Sequence, residues 1–193
     1  MEAIGEVRGN PRENLQSYWL KRRWPDDTAV RARIVDFALY RREGTKTRIM
    51  LEAIEEAFGH KEKVEFDKLL IEHVLPQTIS NNSAGRNWKA MLGENWSEGH
   101  EKYVHTLGNL TLTGYNPDLS NSSFEMKKDL LKQSHLDLNK YFTDFDVWNA
   151  DAILARSKKL VEEVIRRWPR PLSDVQYAAS AEAMSPSSTV REK

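Results

Sequence analysis

Hydrophobic residues recur at helical spacing through the first sixty positions of the chain. Val30, Ile34 and Phe37 fall on one face of a predicted helix, and the same spacing returns in the next stretch, which ends at Gly59. Glycine just beyond the last apolar position is a common helix stop. Residues 1–60 are therefore predicted to form a helical N-terminal subregion that packs on the rest of the chain.

The pattern changes to short extended runs in the middle of the chain. Residues 64–75 predict a strand, and a polar loop with one short helix leads to a second strand at 105–113. A turn then feeds a helix that carries Phe124, with Ser120 or Asn121 as the predicted cap. The order strand, loop, strand, helix is the notable feature of this region.

One more amphipathic helix, predicted over residues 149–168, completes the folded part. Residues 61–170 are predicted to form the core domain, and residues 171–193, which have few large apolar groups, a disordered tail. The predicted fold class is α+β, predominantly helical, with a two-strand-and-helix finger flanked by helices.

The composition excludes some classes of function but does not identify one. The 193 residues can hold one domain with a real core, and Lys plus Arg equal Asp plus Glu at 29 each. Eleven basic and five acidic side chains lie between Arg8 and Arg48, a patch that suits either phosphates or a solvated helix face. Cysteine is absent, which excludes disulfides and thiolate zinc sites. Because no apolar run approaches about 18 residues and no signal peptide opens the chain, a cytoplasmic location without a membrane span is expected.

The chemistry is concentrated in the segment "LLIEHVLPQ", where Glu72 and His73 interrupt an apolar run. Burying two such groups is costly unless they are paired, so they are either satisfied structurally or functional. A carboxylate and an amide oxygen can hold a hard divalent cation that keeps several waters. A neutral imidazole beside that cation can take a proton from an attacking water. This combination is typical of phosphodiester hydrolysis.

The motifs "IEHVLPQ", "HTLGNLTLT", "LSNSSFEMKK" and "RRWP", together with Trp88, resemble the C-terminal nuclease domain of GmrSD-type modification-dependent restriction enzymes. That domain belongs to the HNH, or ββα-metal (His-Me finger), endonucleases. The resemblance runs from about Trp24 to Pro169. It implies a ββα-metal finger whose cofactor is Mg²⁺, with Mn²⁺ or another divalent ion able to substitute.

The resemblance assigns roles to individual residues. His73 matches the general base, and Asn109 matches an asparagine of the catalytic set that braces the loop between the strands. Glu72 matches a metal-binding acidic position, although Asp is more common there. The remaining metal-binding amide matches Asn116 or Asn121, and either can equally be a turn or cap residue. The predicted DNA-phosphate contacts are Lys127 and Lys128. Among the other histidines, His105 is interpreted as structural.

The function implied by the resemblance is that of a metal-dependent DNA endonuclease in a restriction or anti-phage defence system. A single finger has one active site and so predicts nicking; a double-strand break would need a homodimer or two events. Expected partners are double-stranded DNA, modified or not, and an N-terminal nucleotide-hydrolysing ParB-like sensing domain or separate subunit. The alternatives are a non-catalytic DNA-binding or assembly module on the same scaffold, and RNA as the substrate.

Overall fold

The structure is a computed structural model that describes residues 10–15, 25–114 and 119–170. The chain divides into a larger compact unit, Thr28–Trp168, and a second unit made of residues 1–27 and 169–193. The predicted disordered tail, 171–193, lies outside the described residues. None of the described helices is both long and apolar enough to cross a bilayer.

Within the larger unit, two described helices precede the first strand. Helix α1 spans Asp27–Ile34, and α2 spans Leu39–Ala57 with a kink at Glu43. The sequence pattern placed Phe37 on the first of them, but that helix ends at Ile34 and the next begins at Leu39. In the first turn of α2, the N–H of Tyr40 donates to the carbonyl of His105 at 3.1 Å. Helix α2 ends as predicted, since Gly59 has φ +72° and its N–H returns to the carbonyl of Glu56.

The sheet has two short antiparallel strands, β1 (Leu70–His73) and β2 (Leu110–Thr113), in which Glu72 lies opposite Thr111 and His73 opposite Leu110. Both strands are shorter than predicted. A 3₁₀ turn at Phe66–Lys68 precedes β1, and another at Leu107–Asn109 precedes β2.

Six more helical elements complete the described fold. They are α3 (Ser83–Leu92), α4 (Trp96–Tyr103), α5 (Phe124–Lys132), α6 (Asp137–Lys140), a 3₁₀ turn (Tyr141–Asp144) and α7 (Ala150–Arg167). The cap of α5 is Ser123, whose hydroxyl accepts from the N–H of Met126. The predicted caps Ser120 and Asn121 are too early in the chain for this bond. The described residues are mostly helical and form one two-stranded sheet, which confirms the predicted class, α+β and predominantly helical.

The core consists of two clusters. An aromatic cluster packs Trp88, Phe124, Phe142 and Trp148 between α5 and the start of α7, and an aliphatic cluster packs the two strands on α2 and α7. Trp88 and Trp148 are buried, with 1% and 0% of their surface exposed. The sheet is thereby fixed between helices on both sides.

Helix α7 explains why the predicted second strand begins late. Buried Arg156 donates to the carbonyls of Gly108 and Leu110 at 2.9 and 2.6 Å, and the hydroxyl of Ser157 accepts from the N–H of Gly108 at 2.9 Å. Burial lowers the pKa of Arg156 to about 9. These bonds hold residues 107–109 against the helix instead of in the ladder.

We expect Gly108→Ala to destabilise the protein by more than about 2 kcal/mol, because helix α7 leaves no room for a side chain. An added Cβ would lie 2.1 Å from the carbonyl oxygen of Ile153 and 2.4 Å from Oγ of Ser157. Gly99→Ala, in α4, is the matched control, since its Cβ meets nothing within 4 Å. Urea unfolding of both variants measures the difference, and equal stability would contradict the expectation.

Candidate active site

The site is built around the end of β1, where Glu72 and His73 point to opposite faces of the strand. Both are buried, with 7% and 4% of their surface exposed. Pairing with β2 fixes the backbone of both residues. Their side chains are positioned by contacts with residues from other elements.

His73 lies in a small aromatic and imidazole cluster. Its Nε2 is 3.1 Å from Nδ1 of His105, and the ring of Tyr40 meets the His73 ring edge-on with centroids 4.6 Å apart. Tyr40 also stacks on His105 at 5.9 Å. One of the two facing nitrogens donates the hydrogen bond and the other accepts it. Across the three described segments, Nδ1 of His73 has no hydrogen-bond partner.

The electrostatic setting keeps His73 uncharged. Burial is the main cause that lowers its pKa to about 3, and the neighbouring charges of His105 and Lys127 add to the effect. Burial, with help from the charge of Arg41, also lowers the pKa of His105. His73 is therefore a neutral imidazole near neutral pH, with one nitrogen held and one open.

The sequence interpretation of His105 missed this contact. His105 ends the segment after α4 and is brought to His73 because the first turn of α2 takes its carbonyl. The one sequence feature that could have predicted this contact is that His105 lies four residues before Asn109. The spacing of hydrophobic residues gives no indication of it. A second histidine is also placed nearby: Nε2 of His100 is 2.8 Å from the carbonyl of Pro76.

Glu72 is paired with Lys127, which lies 55 positions further along the chain. Nζ of Lys127 donates to Oε1 of Glu72 at 2.6 Å and to the carbonyl of His73 at 2.7 Å. Burial raises the pKa of Glu72 and lowers that of Lys127, and in each case the opposite charge of the partner resists the shift. The fully buried ammonium is thus a structural partner of β1.

This placement bears on the predicted phosphate contacts. Lys127 has no exposed surface, so it is not available to DNA in this structure. The ammonium of Lys128 donates to the carbonyl of Phe145 at 2.7 Å and contacts Asp146 at 3.3 Å, with about a quarter of its side chain exposed. In contrast, Arg41 is exposed and close enough to affect the pKa of His105.

Asn109 is buried and fully bonded at the junction of the loop and β2. Its Nδ2 donates to the carbonyls of Leu75 and Val104, and its Oδ1 accepts from the N–H of Leu75 at 2.7 Å and from Nε1 of Trp148 at 3.0 Å. The backbone also contributes, since the N–H of Val74 donates to the carbonyl of Asn109. These bonds lock the chain after His73 against the start of β2.

The structure describes one of the two predicted amide ligands. Asn116 lies outside the described residues. Asn121 is exposed and lines a surface hollow with Asn82 and Asn87. Of the two predicted metal-binding residues that are described, Glu72 is the one that adjoins His73.

The chemistry of Glu72 fits a hydrated divalent ion. One oxygen accepts from Lys127, and a carboxylate offers about four lone-pair sites, so the second oxygen is left for a metal. Mg²⁺ is commonly bound through one or two carboxylates with several waters retained. Glu72 would therefore hold the ion without losing its bond to Lys127.

The comparisons with known proteins identify the family of the chain. Residues 24–163 match the family described as GmrSD restriction endonucleases, C-terminal domain. No curated protein and no solved structure gives a significant match to the chain. The matched segment includes both strands, α5 and every predicted site residue. A restriction endonuclease family implies DNA as the substrate and suggests a requirement for a divalent metal. The chain belongs to the family of GmrSD restriction endonuclease C-terminal domains.

Proposed function

We propose that this protein is a metal-dependent DNA endonuclease of the HNH type, in which His73 is the general base. The observation that carries the proposal is the state of His73: a buried, neutral imidazole with Nε2 held by His105 and Nδ1 without a partner among the residues described. A general base must be uncharged and must present one free nitrogen to the water it activates.

His105 is a positioning residue in this mechanism. We assign the proton to Nε2 of His73, which donates to Nδ1 of His105, so that Nδ1 of His73 accepts a proton from the attacking water. The ring of Tyr40 packs on both imidazoles and restricts their rotation. The attack forms the new phosphorus–oxygen bond, and the bond to the departing sugar oxygen breaks.

Glu72 supplies the metal site and Lys127 supports it. Glu72 would hold a divalent ion, Mg²⁺ in our proposal, and that ion would supply positive charge to stabilise the transition state. Lys127 fixes the Glu72 carboxylate and the carbonyl of His73 together, so the ligand and the base keep a constant separation. Asn116, or Asn121 after a rearrangement, remains the proposed amide ligand.

Arg41 is the best-placed contact for a DNA phosphate. It is exposed, follows Tyr40 directly and lies near His105, so a phosphate bound to it would lie beside the histidine cluster. Arg42, also exposed, extends the positive surface. Lys128 is a second candidate once its contact with Asp146 is exchanged for a phosphate.

The biological setting follows from the family. We propose that the domain nicks double-stranded DNA in the cytoplasm as the effector of a restriction or anti-phage system. A nucleotide-hydrolysing ParB-like domain or subunit would select the target, and a homodimer would cut both strands. DNA carrying modified bases is the expected natural substrate.

Cleavage of supercoiled plasmid with Mg²⁺, with Mn²⁺ and with EDTA tests the proposal, and an RNA of matched length is offered in parallel. We expect conversion to the nicked form with either metal, none with EDTA, and intact RNA. Cleavage in EDTA would exclude the metal mechanism. Metal-independent binding without any cleavage, with or without the partner subunit, would favour the non-catalytic DNA-binding module.

We expect His105→Ala to lower kcat about tenfold with little change in KM, because general-base catalysis contributes about 10²–10⁴-fold and this variant removes only the orientation of the base. His105→Asn places an amide oxygen where Nδ1 stood and should restore part of kcat. Steady-state cleavage of a fluorescent duplex measures both constants. Equal losses in the two variants, or a change in KM alone, would contradict a positioning role.

A further inference from the structure

A second group of metal-binding side chains lies outside the nuclease site. Glu55, His60 and Asp137 each direct one ligand atom to a common point, and the three atoms lie within 4.8 Å of one another. Nε2 of His60 is 2.6 Å from Oε1 of Glu55 and 3.6 Å from Oδ2 of Asp137. None of the three residues contacts Glu72 or His73 in the parts of the chain that are described.

The backbone holds Glu55 in place for this role. It lies near the end of α2 and is fully buried. Each of its two oxygens accepts one backbone N–H, Oε1 from Asp137 at 2.7 Å and Oε2 from Leu138 at 2.9 Å, and Oε1 also bonds Nε2 of His60, the bond that an ion would replace. A carboxylate oxygen that accepts one hydrogen bond still has a free lone pair. The Glu55 carboxylate is thus fixed in position while it can still bind a cation.

The turn after α2 brings His60 back toward Glu55. Gly59 has φ +72°, a backbone conformation that favours glycine, so the sequence specifies this reversal. The His60 side chain is 20% exposed and that of Asp137 is 29% exposed, so an ion and its waters can reach the group. Lys140 binds Oδ1 of Asp137 at 2.7 Å, which leaves Oδ2 facing His60.

The donor set has the chemistry of a transition-metal site. One imidazole nitrogen and two carboxylate oxygens carry two negative charges when the imidazole is neutral, which matches a divalent ion. Bond lengths near zinc imply ligand atoms about 3.3 Å apart, and the observed separations of 2.6 and 3.6 Å lie on either side of that value. Imidazole favours Zn²⁺ over Mg²⁺, which prefers oxygen ligands alone.

We propose that Glu55, His60 and Asp137 bind a Zn²⁺-type divalent ion that joins the end of α2 to the start of α6. Three protein ligands leave a fourth position for water. The ion replaces the hydrogen bond between His60 and Glu55 and connects parts of the chain about eighty positions apart. This site is separate from the proposed nuclease metal and does not depend on the protein being a nuclease.

Calorimetric titration of Zn²⁺ into the metal-stripped full chain, together with thermal unfolding, tests the proposal. The variants are His60→Gln and Asp137→Asn, and the matched control is His135→Gln, an exposed histidine two residues from Asp137. Glu72→Gln removes the nuclease ligand and so isolates this site. We expect this site to bind one ion in the native protein and in His135→Gln, where the nuclease site can take a second, and one ion per chain in total in Glu72→Gln. In the Glu72→Gln background, both ligand variants should bind at least about tenfold more weakly.

Thermal unfolding provides the second measurement. A ligand that binds only the folded state raises Tm, and Zn²⁺ at about 100 times its Kd should raise it by about 5 °C or more. The rise should be lost in whichever of His60→Gln and Asp137→Asn is folded by circular dichroism. No binding by the native chain at about 0.1 mM Zn²⁺, or unchanged binding in either folded ligand variant, would overturn the proposal. Loss of binding in Glu72→Gln would also overturn it, because the ion would then occupy the nuclease site.

Discussion

His73→Ala is expected to lower the rate of plasmid nicking by about 10²–10⁴-fold, the range by which a general base accelerates proton transfer. The neutral imidazole of His73 is the side chain we assign to water activation, and the variant removes it. Substrate binding should change little, since His73 is 4% exposed and the best-placed phosphate contact, Arg41, lies on α2. Initial rates with Mg²⁺, at saturating plasmid, measure the effect.

The matched control is His135→Ala, which removes an exposed histidine, and its rate should equal that of the native protein. His73→Gln serves as a second variant, because it fills more of the space beside Tyr40 and His105 if alanine destabilises the cluster. Metal-dependent nicking that persists at the native rate in either folded variant would exclude His73 as the base.

The sequence predicted the parts of the site that depend on local pattern. Glu72 and His73 were placed on a short strand because an apolar run carried them, and strand β1 contains both. The placement of these two residues is set by neighbours in sequence and by the alternation of a strand. The family resemblance, and not the local pattern, implied that Asn109 braces the loop between the strands; its side chain bonds Leu75 and Val104 on the two sides of that loop.

Long-range pairing accounts for what the sequence did not predict. Lys127 and Lys128 are adjacent and chemically alike, yet one is fully buried against Glu72 and the other is partly exposed. Only the rotation of α5 on the sheet decides which of the two faces inward. Likewise, His105 approaches His73 because the N–H of Tyr40, in the first turn of α2, binds its carbonyl, and Tyr40 lies more than sixty positions earlier. Neither contact has a counterpart in local periodicity.

Lys127→Met is expected to destabilise the protein by about 3–5 kcal/mol, the typical cost of leaving one member of a buried ion pair without its partner. The side chain of Lys127 is fully buried and that of Glu72 is 9% exposed, so water cannot replace the lost ammonium. The variant also leaves the carbonyl of His73 without this donor. Urea denaturation, monitored by tryptophan fluorescence, measures the change in the free energy of unfolding.

A matched substitution and a double variant distinguish the effect of losing the charge of Lys127 from the effect of changing its side-chain packing. Lys128→Met removes a neighbouring ammonium whose partner Asp146 is fully exposed, so we expect a much smaller change. Glu72→Met combined with Lys127→Met removes both charges and should recover much of the stability lost by Lys127→Met alone, because no buried charge is left unpaired. If the double variant were less stable than either single variant, the pair would not be coupled as its 2.6 Å contact implies. The stability of β1, which carries the proposed base and metal ligand, would then depend on packing around Lys127 and not on its charge.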